Sequence, residues 1–203
     1  MKIHSLIGRG YASNCYLLES DGHAVLIDPS LSVSDAMRCI EGALPIIDLI
    51  ILTHAHFDHM LFLTEWREQT KAPLAMHETE RHALSDPAKT AFSLFLGRQD
   101  VFSPPERLLH DGSIIEFGQE KLRVMSTPGH TVGSICLFGE GCVFTGDTVF
   151  TEGSYGRTDL WSGHTGALIE SIRALTESKH EGTMYPGHGP SGDFQTEMRY
   201  FIR

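Results

Sequence analysis

Residues 47–60, IDLIILTHAHFDHM, join an apolar run to a cluster of metal-binding side chains. The first part is rich in isoleucine and leucine without polar alternation, which is typical of a strand buried on both faces. Three histidines and an aspartate follow within positions 54–59. Crowding these groups together is costly unless a cation binds them, and histidine is the commonest metal ligand. We therefore predict a metal site at the C-terminal end of a buried strand.

The spacing of these four side chains predicts ligands for two centres. His54 and His56 are two positions apart, so in extended backbone they project to the same side. Asp58 and His59 are adjacent on the following turn, where neighbouring side chains point in different directions. One short segment can therefore serve two metal ions.

Three later segments repeat the pattern of a strand, a glycine-containing turn and a potential ligand. STPGHT presents His130, FTGDT presents Asp147, and YPGHGP presents His188. Each is an ordinary turn when taken singly. Ligands at the C-terminal ends of several strands can meet at one edge of a sheet arrangement, where functional groups are commonly displayed.

Strand patterns occur in two blocks, each followed by a helix. KIHSLI, NCYLLES and HAVLIDP precede a predicted helix over residues 32–42, and SIIEFG, KLRVMST, SICLFG and CVFTGD precede one over residues 165–178. Two such blocks predict two sheets packed together with helices outside. Between them, residues 85–105 mix proline and glycine with Phe92, Phe95 and Phe102. This segment is either a lid or subunit contact, or a loop whose phenylalanines cap the core.

Length and charge exclude several classes of protein. The chain has 203 residues, and we predict a single domain over residues 1–203. A net charge of -10 without a Lys/Arg cluster removes the main source of affinity for nucleic acid. No apolar run approaches the ~20 residues of a spanning helix, and the N-terminus lacks a signal-peptide core. We expect a cytoplasmic protein without nucleic-acid or membrane partners, and the oligomeric state stays open.

The order HxHxDH, then histidine, aspartate and histidine, resembles the metallo-β-lactamase superfamily. The resemblance spans most of the chain, with every ligand of the family's pattern present. It implies an α+β fold, namely a four-layer αβ/βα sandwich of two mixed β-sheets with outer helices. The metal site of such a fold lies along the rim between the two sheets.

The same resemblance implies two divalent metal ions joined by a water or hydroxide. Mixed histidine and carboxylate ligands suit zinc, iron or manganese, and zinc is the metal that we expect. The catalytic residues would be Asp58 and Asp147. The first metal would be bound by His54, His56 and His130, and the second by Asp58, His59 and His188. Asp147 would bridge the two metals.

Residues around the bridging aspartate favour one branch of the family. Two-zinc β-lactamases usually have cysteine at the position of Asp147, and related lactonases have tyrosine at the position of Phe150. GRTD, residues 156–159, resembles glyoxalase II-like enzymes and persulfide dioxygenases. Only fifteen residues follow His188, too few for the C-terminal domain that supplies part of the glutathione site of full glyoxalase II enzymes. We predict a short glyoxalase II-like hydrolase that cleaves a small-molecule thioester of the S-acylglutathione type.

The same residues are also compatible with other functions. A persulfide dioxygenase would hold one iron with His54, His130 and Asp147, a 2-His-1-carboxylate set. A lactonase or other ester hydrolase of the same family is a further alternative. A purely structural zinc site fits poorly, since such sites are closed four-ligand sets that are usually rich in cysteine.

Three residues beyond the ligands are candidates for substrate binding. Arg157 either holds a substrate carboxylate or pairs with Asp159, and pairing is the favoured interpretation. Tyr155 lies in the same loop. His164 either faces the substrate or caps the helix that begins near Thr165, and capping is the favoured role.

Overall fold

Two mixed β-sheets form the centre of the computed structural model, which describes residues 1–40 and 42–202. In the first sheet, β1 to β3 pair antiparallel and β3 to β6 pair parallel, in chain order. Its six strands in the described residues are β1 Lys2–Leu6, β2 Cys15–Ser20, β3 His23–Ile27, β4 Ile46–Ile51, β5 Leu74–His77 and β6 Arg107–Leu109.

The second sheet has the order β12-β11-β10-β9-β8-β7 and is antiparallel except for the parallel pair of β10 with β11. Its six strands in the described part of the chain are β7 Ile114–Phe117, β8 Glu120–Ser126, β9 Ile135–Gly139, β10 Cys142–Gly146, β11 Thr183–Pro186 and β12 Gly192–Asp193. Strands β8, β10 and β11 run in the same direction, so their C-terminal ends share one edge.

Both faces of the central strands are buried, which explains their lack of polar alternation. Leu17 and Ile50 pack with the helices outside the first sheet, whereas their neighbours Leu18 and Ile51 pack against the second sheet. On the far side of the second sheet, Val143 packs with the outer helices. Helices, sheet, sheet and helices therefore form four layers, as predicted.

Five α-helices cover the sheets within the described residues: α1 Val33–Cys39, α2 Leu63–Thr70, α3 Phe92–Leu96, α4 Thr165–Glu177 and α5 Phe194–Met198. Ser32 caps α1 by accepting a hydrogen bond from the backbone N–H of Asp35. The helix predicted over 32–42 is shorter than expected, and Glu41 lies outside the described residues. Within the same described residues, four short 3-10 helices complete the pattern at Phe57–His59, Glu78–Ser85, Thr151–Gly153 and Arg199–Phe201.

The phenylalanines of residues 85–105 pack on the core. Phe92 is fully buried, and its ring centroid lies 5.6 Å from that of Phe102. Phe95 is half-buried against the same cluster and faces the cavity described below. Of the two alternatives for this segment, the structure shows the core-capping contacts. Among the described residues, no helix has both the length and the apolar character needed to cross a bilayer.

Candidate metal centre

The predicted ligands follow the C-terminal ends of four strands, and the fold brings these ends to one rim. His54 lies just beyond β4 of the first sheet, and His130, Asp147 and His188 follow β8, β10 and β11 of the second. A backbone hydrogen bond joins the edges of the two sheets here, because the N–H of Ile135 donates to the carbonyl of Thr53 at 3.0 Å. The sandwich therefore places side chains from distant parts of the sequence around one point.

Three imidazoles form the first cluster. Nε2 of His130 lies 3.1 Å from Nε2 of His54 and 2.8 Å from Nδ1 of His56. All three side chains are buried, and one nitrogen of each lies within 4.8 Å of the others. Three nitrogens facing one another at this range form a donor set for a metal ion.

Asp58, His59 and His188 form the second cluster. Nε2 of His188 lies 3.0 Å from Oδ2 of Asp58, and Nε2 of His59 lies 3.9 Å from the same oxygen. Asp147 stands between the clusters, because its Oδ2 is 3.6 Å from Nε2 of both His130 and His188. Its carboxylate is therefore placed to contact cations on both sides.

Hydrogen bonds on the far side of each ring set which nitrogen faces the centre. Nδ1–H of His130 donates to the carbonyl of Arg157 at 2.7 Å, so Nε2 carries the lone pair and faces the cluster. Nδ1–H of His54 is 3.2 Å from Oγ1 of Thr53, with the same consequence. These contacts prepare the rings as ligands.

Asp28 is the main supporting residue that the sequence did not indicate. Its carboxylate is buried and accepts three hydrogen bonds: Oδ1 from the N–H of Thr53 at 2.8 Å, and Oδ2 from the Thr53 hydroxyl at 2.7 Å and from Nδ1–H of His59 at 2.8 Å. Asp28 adopts φ +52°, a left-handed conformation that aspartate tolerates better than most residues. The usable signal was its position directly after strand β3, like the ligands after their strands.

Burial keeps the first cluster neutral. Desolvation lowers the pKa of His54 well below its ordinary value and lowers the pKa of His56 to about 3, and neighbouring imidazoles act in the same direction. The pKa of His130 is also lowered, mainly by burial. Neutral rings with free lone pairs are the forms that bind metal.

Charges dominate the second cluster. Burial alone would lower the pKa of His59, but the carboxylates of Asp147, Asp28 and Asp58 raise it well above its ordinary value. Burial would raise the pKa of Asp147, but His59 and the other imidazoles hold it below its usual range. Asp147 is therefore an anion inside the protein that needs a positive partner.

Three buried polar atoms in the described centre lack a hydrogen-bond partner. These are Nε2 of His56, Nε2 of His59 and Oδ1 of Asp147. The latter two lie 3.2 Å apart without forming a geometrically acceptable hydrogen bond. Such groups are costly unless they bind something, so the donor set fits divalent cations well. Space for a further side chain is lacking here, since a Cβ on Gly187 would lie 2.1 Å from Oδ1 of Asp147.

A cavity of about 340 Å³ opens above the centre. Arg157 lines it, but the guanidinium bonds Asp159 at 2.6 and 2.7 Å, so the favoured pairing is observed. His164 caps α4, because its Nδ1 accepts from the N–H of Ala167 at 3.0 Å. Tyr155 lies on a separate groove beside α4 and does not line this cavity. Of the three substrate-binding candidates, only Arg157 reaches the cavity.

Glu80 is a second supporting residue that the sequence did not indicate. It follows β5, is buried, and accepts a hydrogen bond from the hydroxyl of Thr131 at 3.1 Å. The backbone N–H of Ala55 also bonds its carboxyl group. Glu80 therefore links the loop of His54 and His56 to the loop of His130. Burial raises the pKa of Glu80 to about 7, and the two hydrogen bonds only partly oppose this.

We predict a pH-dependent gain in stability for Glu80→Gln. The pKa is 4.5 in the unfolded chain and about 7 in the folded one, so ionisation opposes folding increasingly from pH 4.5 to 7 and not below that range. Relative to wild type, the glutamine variant should therefore gain roughly 3 kcal/mol of unfolding free energy between pH 4.5 and 7.5. Urea unfolding of both proteins across this range measures the difference. The exposed substitution Glu116→Gln is the control, and parallel pH curves for Glu80→Gln and wild type would contradict the prediction.

Fold and site together define a class of protein: an αβ/βα sandwich with a histidine- and aspartate-rich metal-binding rim between its sheets. The model of the metallo-β-lactamase superfamily matches residues 8–188, and the chain belongs to this superfamily. Members of this superfamily bind divalent metal ions. The predicted fold class and superfamily are thus confirmed.

Several relatives are named as probable metallo-hydrolases, and two of them illustrate the similarity. The chain is 33% identical over 192 residues to the probable metallo-hydrolase YqgX of Bacillus subtilis, covering 92% of this chain and 89% of that protein. It is 36% identical over 199 residues to the probable metallo-hydrolase MJ0888 of Methanocaldococcus jannaschii, covering 94% of each. These matches support a metal-dependent hydrolase and name no substrate.

Solved structures with the same fold carry different descriptions. The BLEG-1 B3 metallo-β-lactamase has 31% identity and a TM-score of 0.89, covering 98% of this chain and 97% of that one. TTHA1623, in a di-iron-bound form, has 31% identity and a TM-score of 0.78, covering 95% and 96%. ETHE1 from Myxococcus xanthus has 26% identity and a TM-score of 0.78, covering 100% and 84%. These similarities show the shared fold and do not by themselves assign an activity to this chain.

Proposed function

We propose that this protein is a hydrolase of small-molecule thioesters that uses two divalent metal ions. Zinc is the metal that we propose. The observation that carries the proposal is the position of Asp147, whose Oδ2 lies 3.6 Å from a histidine nitrogen of each cluster. His54, His56 and His130 would hold one ion, and Asp58, His59 and His188 the other. When bound there, two such ions supply a hydroxide nucleophile at neutral pH and polarise the substrate carbonyl.

The protein's own residues prepare this chemistry. Asp28 and the Arg157 carbonyl orient the rings of His59 and His130, so Nε2 of each ring faces the centre without rearrangement. Asp147 carries the negative charge that balances the cations. Asp58 accepts from His188 at the cavity floor, where it can also receive the proton of an attacking water.

A thioester suits this site because its leaving group needs little help. A thiol has a pKa near ~8.5 and leaves readily as the thiolate. Outside the seven ligands, the described cavity lining offers the phenol of Tyr11 and the guanidinium of Arg157 but no carboxylic acid. An ester or amide, with a more basic leaving group, would require a stronger proton donor.

Metal analysis and a substrate panel test the proposal. Protein purified without added metal should contain up to two ions per chain, and the metal-loaded protein should hydrolyse thioesters faster than lactones, β-lactams and simple esters. A chelator should remove both metal and turnover, and added zinc should restore them. If β-lactams or lactones turn over rapidly and thioesters do not react, the protein is a hydrolase but not a thioesterase.

Iron-dependent oxidation of a persulfide is the second candidate. His54, His130 and Asp147 alone form a 2-His-1-carboxylate set, with Nε2 of His130 3.1 Å from His54 and 3.6 Å from Asp147. The similarity to ETHE1 gives this candidate weak support. One iron per chain with persulfide-dependent oxygen uptake would establish it and reject thioester hydrolysis.

A further inference from the structure

Three aromatic rings form a wall beside the metal centre, which we call the aromatic wall: Tyr11, Phe57 and Phe95. The rings of Phe57 and Phe95 stack with centroids 5.2 Å apart at an interplanar angle of 16°. Tyr11 meets them at 6.0 Å and 6.5 Å. Each ring contacts the other two, so the wall presents one continuous apolar surface to the cavity.

The core holds two rings of this wall in place, Phe57 and Phe95. Phe57 is 5% exposed, lies between His56 and Asp58 in sequence, and packs against the fully buried Phe92 with centroids 5.9 Å apart. The same residue therefore joins the ligand segment to the hydrophobic core. A rigid apolar surface next to reacting atoms favours a substrate group that can lie against it.

The cavity offers little to a multiply charged substrate. Arg157 is the one Lys or Arg side chain among the described residues that line it, and both bonds of its guanidinium group go to Asp159. The guanidinium carbon also lies 5.8 Å from the centroid of Phe95. Asp159 already occupies the Nε and Nη2 edge of the guanidinium, so a carboxylate entering the cavity could not form a bidentate pair at that edge without displacing it.

From the wall and the engaged arginine, we infer that the substrate carries a bulky apolar arm next to its thioester carbonyl and that the cavity does not recognise the carboxylates of glutathione. The arm packs on Tyr11, Phe57 and Phe95. It can be the acyl chain or the thiol side, since both flank the carbonyl. This inference rests on the proposed thioesterase function and specifies its substrate class.

The experiment uses metal-loaded protein and a matrix of thioesters. Acetyl, butyryl, hexanoyl and phenylacetyl groups are each joined to N-acetylcysteamine, and the acetyl group is joined to ethanethiol, hexanethiol and glutathione. Along one of these two series, kcat/KM should rise about threefold to tenfold per added methylene pair until the arm fills the wall. The series that rises identifies which arm occupies the wall.

Variants of the wall separate packing from general damage. Tyr11→Ala removes a ring that is 61% exposed and so leaves folding intact, and Phe95→Ala removes the ring that stacks on Phe57. Each should lower the preference for the long arm over the short one about tenfold. Phe201→Ala, a half-buried phenylalanine on the C-terminal 3-10 turn, is the matched control and should keep the wild-type preference.

Arg157→Gln tests the second half of the inference. The variant should change kcat/KM for an acylglutathione and for the same acyl group on N-acetylcysteamine by the same factor. A loss confined to the glutathione substrate would overturn the inference that its carboxylates are not recognised. If kcat/KM does not rise along either the acyl or the thiol series, the inference of an apolar arm is wrong. It is also wrong if Tyr11→Ala and Phe95→Ala keep the wild-type preference for the long arm. Either result leaves the proposed thioesterase function intact. Turnover of no thioester would reject the proposed function and the inference with it.

Discussion

Asp147→Ala is expected to lower hydrolysis at least about a thousandfold and to reduce the bound metal from two ions per chain to one or none. The carboxylate is the one group of the described centre placed 3.6 Å from a histidine nitrogen of both clusters. Without it, two bound cations would lose the protein carboxylate between them and would repel each other more strongly. Metal content and kcat/KM, measured on the same preparation, test both parts of the prediction.

The design of this test separates the loss of the bridge from the loss of a carboxylate. Asp48→Ala removes a partly exposed carboxylate on β4 whose partner is His23, and it should keep activity and metal content. His54→Ala should lose activity as Asp147→Ala does, whereas Cys142→Ala should not. Wild-type turnover in Asp147→Ala would reject a mechanism that depends on bridged metals.

Asp28→Asn is expected to weaken metal binding by about 10- to 100-fold although Asp28 touches no metal position. Asparagine keeps the shape of the side chain and tolerates φ +52°. It carries no negative charge, however, and it cannot accept all three hydrogen bonds that Thr53 and His59 donate. The ring of His59 then loses the partner that orients it, and the metal-free protein should lose about 2 kcal/mol of unfolding free energy.

Competition with a chromophoric chelator measures the affinity, and urea unfolding of the metal-free protein measures the stability. Asp48→Asn is the matched control, since Asp48 also bonds a histidine, at 3.0 Å, but on the surface. Surface pairs of this kind contribute little. Equal metal affinity in Asp28→Asn and wild type would show that other contacts orient His59.

Much of the centre could be predicted from the sequence because its ligands share a local signature. HAHFDH follows an apolar strand, and His130, Asp147 and His188 each follow a strand and a glycine-containing turn. A signature of this kind needs only neighbouring residues to be recognised. The residues missed by this reasoning, Asp28 and Glu80, also follow strands but lack a repeated pattern.

The three candidate substrate-binding residues differ in how far sequence spacing determines their contacts. Arg157 and His164 took the local roles that short-range geometry favours, an ion pair two residues away and a helix cap. Tyr155 sits in the same loop, yet its side chain lies on another surface. A loop's direction depends on the elements against which it packs, so its side chains cannot be assigned from sequence alone.

The sequence by itself determined the fold class, the superfamily and the set of candidate ligands, because strand burial and ligand spacing are local properties written in neighbouring residues. The tertiary structure decided which side chains support those ligands and what lines the cavity. Asp28 meets His59 across 31 positions, and Tyr11 meets Phe95 across a longer stretch of chain. Such pairs exist only because strand pairing in the first sheet, and the packing of its connecting segments, bring residues that are distant in sequence together.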